Sequence, residues 1–564
     1  MSEPWFQFYD PYVPRSVDFP VTPLFPLLEK TAQEFPDRKA TIFFGQGLTY
    51  RDLHLKAKAF AQALQSLGLK KGDRVGILLP NSPQFIIGYY GAMRAGTIVV
   101  PMNPLYVERE LEFMINDAGV TTILTLDILV PRLKNVQPRT PLKNIIVTRI
   151  KDYLPLLLKI LYPIKEWKEK TKVTVKREPG IYFLEELLAQ SHGEPEPVDI
   201  NPLEDVAILQ YTGGTTGFPK GAMLTHWNLV HNAISSKYWL LGENPGYEVV
   251  LGVLPFFHVF GMTVVMNLAV LFGATIILHP RFILKDVLKS IDRYHPTVFP
   301  GAPAMFAAIN NFPEIKKYNL SSIKACISGS APLPLEVQQT FERITGGKLV
   351  EGYGLTEASP VTHCNPLYGK RKLGSIGLPF PDTQCRIMDL ENGDQEMPIG
   401  EVGELVVKGP QVMKGYWNRP DETAKTLRDG WLYTGDIAKR DEEGYFYIVD
   451  RKKDMIITGG YNVYPREVEE ILYSHPKILE AAVAGVPDPY RGEMVKAYVV
   501  LRPGAEATAD EIIAYCREKL ARYKVPREVE FRKELPKTFI GKVLRRTLRE
   551  EEAQKAQAAG AKKE

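Results

Sequence analysis

Cysteine is scarce in this 564-residue chain: Cys326, Cys364, Cys385 and Cys516 lie far apart, with no CxxC pair. That spacing supports neither a disulfide framework nor a zinc site, and it points to reduced, mostly buried thiols in the cytosol. Long apolar runs are missing as well. No stretch approaches the roughly 18 consecutive apolar residues of a membrane-spanning helix, so none is expected. The amino terminus, MSEPWFQFYDPYVPRS, has no basic start leading into an apolar run, so no secretory signal is expected. Charge of one sign is not in excess: the net charge is +4. No concentrated basic face of the kind that binds nucleic acid is expected, and nucleic acid is excluded as a partner. No internal repeat is visible.

What is present reads as a globular chain. Hydrophobic residues make up 45% and charged residues 24%, in a chain long enough for two or three domains. Thr49 with Asp52 three residues on caps a predicted helix whose Leu53, Phe60, Leu64 and Leu67 share a face, and Gly68 is placed to end it. The run RVGILLP then reads as a buried strand. Val206–Thr212, Val249–Pro255, Thr275–His279 and Ile323–Ser330 are further strand candidates. Helical patterns at 283–295 and 334–346 alternate with them. Apolar strands between helices imply a sheet covered on both faces, hence an α/β class. From about Gly400 short strands and turns predict a small β subdomain, about 375–450. A charged knot, Asp450 to Asp454, is placed as the boundary of a small α+β domain over 451–550. Its predicted helices carry Val468, Ile471 and Leu472, and Ile513, Cys516 and Leu520. The tail 551–564 lacks large apolar residues and is expected to be disordered.

One segment, Asp152 to Lys172, runs from leucine-rich to lysine-rich. It reads either as a surface excursion packed on its own domain or as a segment lying on an anionic membrane surface.

The strongest motif is YTGGTTGFPKG, Tyr211 to Gly221, directly after a predicted strand. Glycines let backbone N–H groups turn towards an anion, threonine hydroxyls add neutral donors, and Lys220 adds a point charge. It is not a Walker A loop: Pro219 precedes the lysine and no Ser or Thr follows it, which argues against a P-loop NTPase. The motif resembles the phosphate loop of the acyl-adenylate-forming superfamily, which more often has serine at Gly213, so one hydroxyl is lost and the backbone cradle kept.

Further motifs recur in the order of that superfamily over about 500 residues. The resemblance implies an ATP site of Thr212, Gly213, Gly214, Thr215, Thr216, Gly217 and Lys220, of Ser330, Ala331 and Pro332 in SGSAPLP against adenine, and of Gly352, Tyr353 and Gly354 in EGYGLTEASP. Asp436 in LYTGD would accept the ribose hydroxyls and Arg451 would touch ribose or phosphate. Thr356 is implied at the α-phosphate, and Glu357 with Thr212 at magnesium, whose charge lets a carboxylate approach a polyphosphate. His258 in LPFFHVFG is implied at the mouth of an acyl pocket. It would act in positioning, since a carboxylate already ionised at neutral pH needs no base; from composition alone it could equally be a core histidine. Lys453 is implied at a hinge, and Gly459 and Gly460 at a tunnel for coenzyme A. Lys542 in PKTFIGKVLRR is implied as the catalytic lysine of adenylation.

The stretches TGGTTG, DGWLYTGD, DRKKD and VMKGYWNRPDET (Val412 to Thr423) most nearly resemble bacterial long-chain fatty-acid–CoA ligases. The implied reaction joins fatty acid and coenzyme A through an acyl-adenylate, using ATP and magnesium, with the carboxy-terminal domain rotating between half-reactions. A medium-chain or aryl acyl-CoA ligase, or an acyl-AMP ligase serving a carrier protein, is the alternative. A catalytically dead binding protein on the same fold is disfavoured by the intact Glu357, Asp436, Arg451 and Lys542. The same resemblance is compatible with a homodimer, and the scattered thiols point to a cytoplasmic enzyme.

Overall fold

The computed structural model describes residues 3–169, 173–212, 219–241, 248–458, 461–488, 491–538 and 543–560. Two compact units account for the chain, Met1–Gln384 with Val407–Leu432, and Cys385–Val406 with Tyr433–Glu564.

The first unit is built on an eight-stranded sheet. Its order is Gly415–Tyr416, Lys220–Thr225, Val206–Thr212, Ile98–Pro101, Arg74–Leu78, Thr122–Leu126, Asn144–Thr148 and Ile181–Phe183. From Val206–Thr212 to Ile181–Phe183 the pairing is parallel, and the other two strands are antiparallel. Fully buried strands such as Thr122–Leu126 are uniformly apolar or threonine-rich, as a sheet covered on both faces requires. The predicted cap is present at Tyr50–Ser66, where the Thr49 hydroxyl oxygen accepts from the Asp52 N–H at 3.1 Å and Leu53, Phe60 and Leu64 are buried. A second sheet orders Val249–Gly252, Thr275–Leu278, Lys39–Phe43 and Gln46–Thr49. A third orders Ala325–Ser328, Lys348–Gly354, Val361–Cys364 and Leu378–Pro379, and Val298 bridges the two.

The strand expected over Val249–Pro255 stops at Gly252. Asn81 is the reason: its amide nitrogen donates to Gly252 O at 3.1 Å and Leu254 O at 2.8 Å, and its oxygen accepts from Phe256 N–H at 2.8 Å. A buried side chain thus supplies bonds that a neighbouring strand would otherwise supply. All four cysteines are buried and free.

Gln384–Met388, Gly403–Lys408, Trp431–Arg440 and Phe446–Arg451 form one sheet, most of whose residues belong to the second unit. A second pairs Ile478–Asp488 antiparallel with Gly492–Leu501, the latter parallel with Glu528–Phe531. Helices Pro465–Tyr473 and Ala509–Lys519 bury Val468, Leu472, Ile512 and Cys516 against it. The tail departs from expectation: its helix runs from Arg545 to Gly560. Leu548 is buried beside Ala482, Ala484 and Tyr498. Glu552 meets Lys496 at 2.8 Å and Lys555 meets Glu530 at 2.9 Å, so polar residues hold the helix where apolar ones are lacking.

Leu156–Glu169 is a helix, and its apolar residues face solvent: Leu156 is 75% exposed, Leu157 67% and Ile160 65%. The reading as an excursion packed on its own domain is corrected for these side chains. Residues 170–172 lie outside the described residues. Among the described residues no helix is long and apolar enough to cross a membrane.

Candidate active site

In the first unit the strands Val206–Thr212 and Lys220–Thr225 form a hairpin whose last pair is Thr212 opposite Lys220. Two predicted site residues therefore face each other where the phosphate motif leaves the sheet. Gly213, Gly214, Thr215, Thr216 and Gly217 lie outside the described residues. The hairpin is braced from the side: the Tyr211 hydroxyl donates to Asp117 Oδ2 at 2.6 Å, and Arg419 pairs with Asp117 Oδ1 at 2.6 Å. Burial first, then Asp117, pushes the Tyr211 phenol well above its usual range, so it stays a donor.

Lys220 pairs with Glu422, and its ammonium lies 5.1 Å from the centre of the Tyr416 ring. Tyr416 in turn donates its hydroxyl to Glu357 Oε1 at 2.7 Å. Burial, with Glu357 next, pushes the Tyr416 hydroxyl up as well, so it is held protonated. The lysine of the phosphate motif and the carboxylate of EGYGLTEASP, 137 positions apart in the chain (357 less 220), are thus joined through one aromatic ring.

The Glu357 turn is held from several sides. Thr356–Ala358 is one 3₁₀ turn, and Glu357 O accepts from Met413 N–H at 2.8 Å. The buried Asn232 donates to Val361 O at 2.7 Å, and Thr263 donates to Ser359 O at 2.9 Å. Gly354 passes so close to Pro360 that a Cβ would sit 2.1 Å from its carbonyl oxygen, which excludes any other residue there. Tyr353 stands edge-on to His363 at 5.9 Å.

Ala325–Ser328 lies parallel to Lys348–Gly354, with Ser328 opposite Glu351. The loop of Ser330, Ala331 and Pro332 therefore leaves the sheet next to Gly352 and Tyr353. Ser330 has φ +72°, a left-handed conformation that costs a non-glycine residue energy and recurs at ligand sites. His258 is half-buried and caps a short turn, its Nδ1 accepting from Phe260 N–H at 3.3 Å. The Phe260 ring packs on Gly329, where a Cβ would meet it at 2.8 Å. His258 thus belongs to the neighbourhood of the Ser330 loop.

In the second unit Asp436, nearly buried, is opposite Arg451 across the strand pair, and Arg451 Nε lies 3.2 Å from Asp436 Oδ1. Lys453 is exposed and its carbonyl accepts from Arg549 at 3.0 Å. Gly459, Gly460 and Lys542 lie outside the described residues. Tyr416, Glu422 and Asp117 were not singled out from the sequence as site residues; the signal for the first two was the VMKGYWNRPDET stretch.

Glu357 suits a hard cation. It offers one carboxylate whose Oε1 already accepts a hydroxyl, a donor set matched to a magnesium ion that keeps water and phosphate oxygens around it rather than to an all-protein cage.

Residues 28–417 match the AMP-binding enzyme family, and residues 467–542 match the AMP-binding enzyme C-terminal domain. The chain belongs to the AMP-binding enzyme family. Within it, the chain is 52% identical to a long-chain-fatty-acid–CoA ligase of Bacillus subtilis, over 98% of this chain and 99% of the relative. A ligase of the same name from Yersinia pestis is 41% identical over 98% of each chain. Among solved structures, an anthranilate CoA ligase in complex with anthranoyl-AMP superposes with a TM-score of 0.83 at 27% identity, covering 95% of this chain and 98% of that one. These AMP-binding enzymes share its mixed α/β architecture of a large amino-terminal and a small carboxy-terminal domain.

Proposed function

We infer that this AMP-binding enzyme is an AMP-forming long-chain fatty-acid–CoA ligase. A fatty carboxylate attacks the α-phosphorus of ATP in line, pyrophosphate leaves, and the acyl-adenylate passes its acyl group to the thiol of coenzyme A with release of AMP. The observation that carries the reading is the Lys220–Tyr416–Glu357 arrangement at the loop end of the hairpin that pairs Thr212 with Lys220. It sets a fixed cation for phosphate oxygens beside a carboxylate for a divalent cation. The full-length relatives named for long-chain fatty acids support the substrate class over the medium-chain, aryl and carrier-linked alternatives.

Magnesium would neutralise charge between carboxylate and polyphosphate, held by Glu357 with Thr212. Thr356 would meet the α-phosphate. Lys220 and the threonine-glycine loop would hold the leaving pyrophosphate. Tyr353 and the Ser330 loop would flank adenine, and Asp436 and Arg451 would take the ribose, their pairing giving way to sugar hydroxyls. His258 would orient the substrate carboxylate, Lys542 would serve adenylation, and Gly459 and Gly460 the thiol arm, with Lys453 at the pivot. The working division is an adenylate-forming part over 1–450 and a cap over 451–550. The reading extends to peripheral contact with the inner face of a cytoplasmic membrane through 152–172, and to a homodimer that sedimentation would test.

Pyrophosphate release across acids of two to twenty carbons, with and without coenzyme A, tests the reaction. Each enclosed methylene contributes about 0.8 kcal/mol, so kcat/KM should climb roughly fourfold per carbon until the pocket is filled. Production of ADP in place of AMP, or no AMP with any acid, would overturn it.

A further inference from the structure

Lys220 does not stand alone at the end of its hairpin, and both of its neighbours are placed there by backbone construction. Gly415–Tyr416 pairs with Met223 and Ala222, and Trp417 N–H donates to Gly221 O at 2.8 Å, which sets this edge of the sheet directly beside Lys220. The short helix Pro420–Thr426 is then folded back by Thr423. Its hydroxyl oxygen accepts from Tyr416 N–H and donates to Arg419 O, both at 2.9 Å. Arg419 is itself held by Asp117 at 2.6 Å. Glu422 is therefore presented to Lys220 from a clamped turn.

The two side chains are only 15% and 29% exposed, so their attraction is screened less than that of a surface pair. The Lys220 ammonium holds the Glu422 carboxyl below its usual range. Lys220 takes Glu422 Oε2, while Lys425 reaches Oε1 at 3.1 Å. If Lys220 turned to another anion, Glu422 would keep a cation.

Resting on the reading that Lys220 holds the phosphates of ATP, we propose that Glu422 is a positioning residue: an internal counter-ion that holds Lys220 while no polyphosphate is bound and yields it to one that arrives. Any polyphosphate must displace Glu422 from Lys220, ATP on entry and pyrophosphate while it stays. The carboxylate thus weakens both, and it takes the ammonium back as pyrophosphate leaves. Lys425 keeps the displaced carboxylate from being stranded, so the exchange trades one ion pair for another.

The test is Glu422→Gln, which preserves size, keeps one acceptor oxygen and removes the charge. Loss of a partly dehydrated competitor is expected to lower KM for ATP and the inhibition constant of pyrophosphate together, roughly three- to tenfold each, with no rise in kcat. A purely structural role would instead raise KM as the 415–426 turn loosens. Glu422→Asp should restore both constants towards native values. In a Lys220→Met background Glu422→Gln should change neither, whatever its own stability. An unchanged or raised KM for ATP with unchanged pyrophosphate inhibition, or an equal effect in the Lys220→Met background, overturns the proposal. If the native protein releases no pyrophosphate with any acid, the reading of the site fails and this proposal with it.

Discussion

At the scale of single residues, the proposed phosphate chemistry is divided between two lysines, by different means. Lys220 is built into a sheet edge, opposite Thr212 and beside Tyr416, so its ammonium is placed by strand register. Lys542 belongs to PKTFIGKVLRR, and its proposed task is to bridge the substrate carboxylate and the α-phosphate while charge builds at phosphorus. Lys542→Ala is expected to slow adenylate formation by roughly 10²–10³ or more, the loss seen when a preorganised donor to a developing anion is removed. Thioester formation from supplied acyl-adenylate should stay close to native, because the proposed rotation of the carboxy-terminal domain carries Lys542 away before that step. Separate assays of the two half-reactions measure this, and an equal loss in both would count against a role confined to adenylation.

Among secondary elements, the charged knot Asp450–Asp454 is tethered. Arg545, on the last helix, lies 2.6 Å from Glu469, 3.4 Å from Asp454 and 4.0 Å from Asp450. Arg549 pairs with Asp454 as well. Asp450 is buried, and burial pushes its carboxyl up to about 6 against the opposing pull of Arg545. A carboxyl raised in the folded state contributes stability that is full below its unfolded value near 4 and is lost as pH rises through about 6. A rise from near 4 to about 6 corresponds to about 3 kcal/mol. Asp450→Asn should therefore remove a pH-dependent component: the stability of native protein minus variant should fall by up to about 3 kcal/mol between pH 4 and pH 7. Urea unfolding at steps across that interval is the measurement, and parallel curves for the two proteins would reject it.

For the whole molecule the exposed helix Leu156–Glu169 has the most consequence. Burying three or four leucine or isoleucine side chains in lipid is worth about 1.5–3 kcal/mol each, enough with basic flanks for reversible adsorption to an anionic surface. The chain is expected to co-float with phosphatidylglycerol vesicles. The pair Leu157→Glu with Ile160→Glu should abolish flotation and leave the rate on a short, water-soluble acid unaltered. Native protein that stays with the soluble fraction, or a double variant that still floats, would remove membrane contact from the proposed function.

Local information carried the class, and resemblance to family motifs carried the candidate site. Caps such as Thr49 and uninterrupted apolar strands are written in neighbouring residues, so the α/β reading was legible before any contact was known, whereas Ser330, Tyr353 and Glu357 were singled out by the motifs that hold them. Three things were decided only by the tertiary structure. The strand from Val249 ends early because Asn81, far away in the chain, occupies its carbonyls. The tail from 551 is helical because Lys496 and Glu530 receive its charges. Lys220 acquires Glu422, 202 positions on, and Tyr416 because a two-residue edge strand returns to its hairpin. A strand that short has no hydrophobic period to read, and the energy of an ion pair depends on burial and distance, which exist only once the chain has folded.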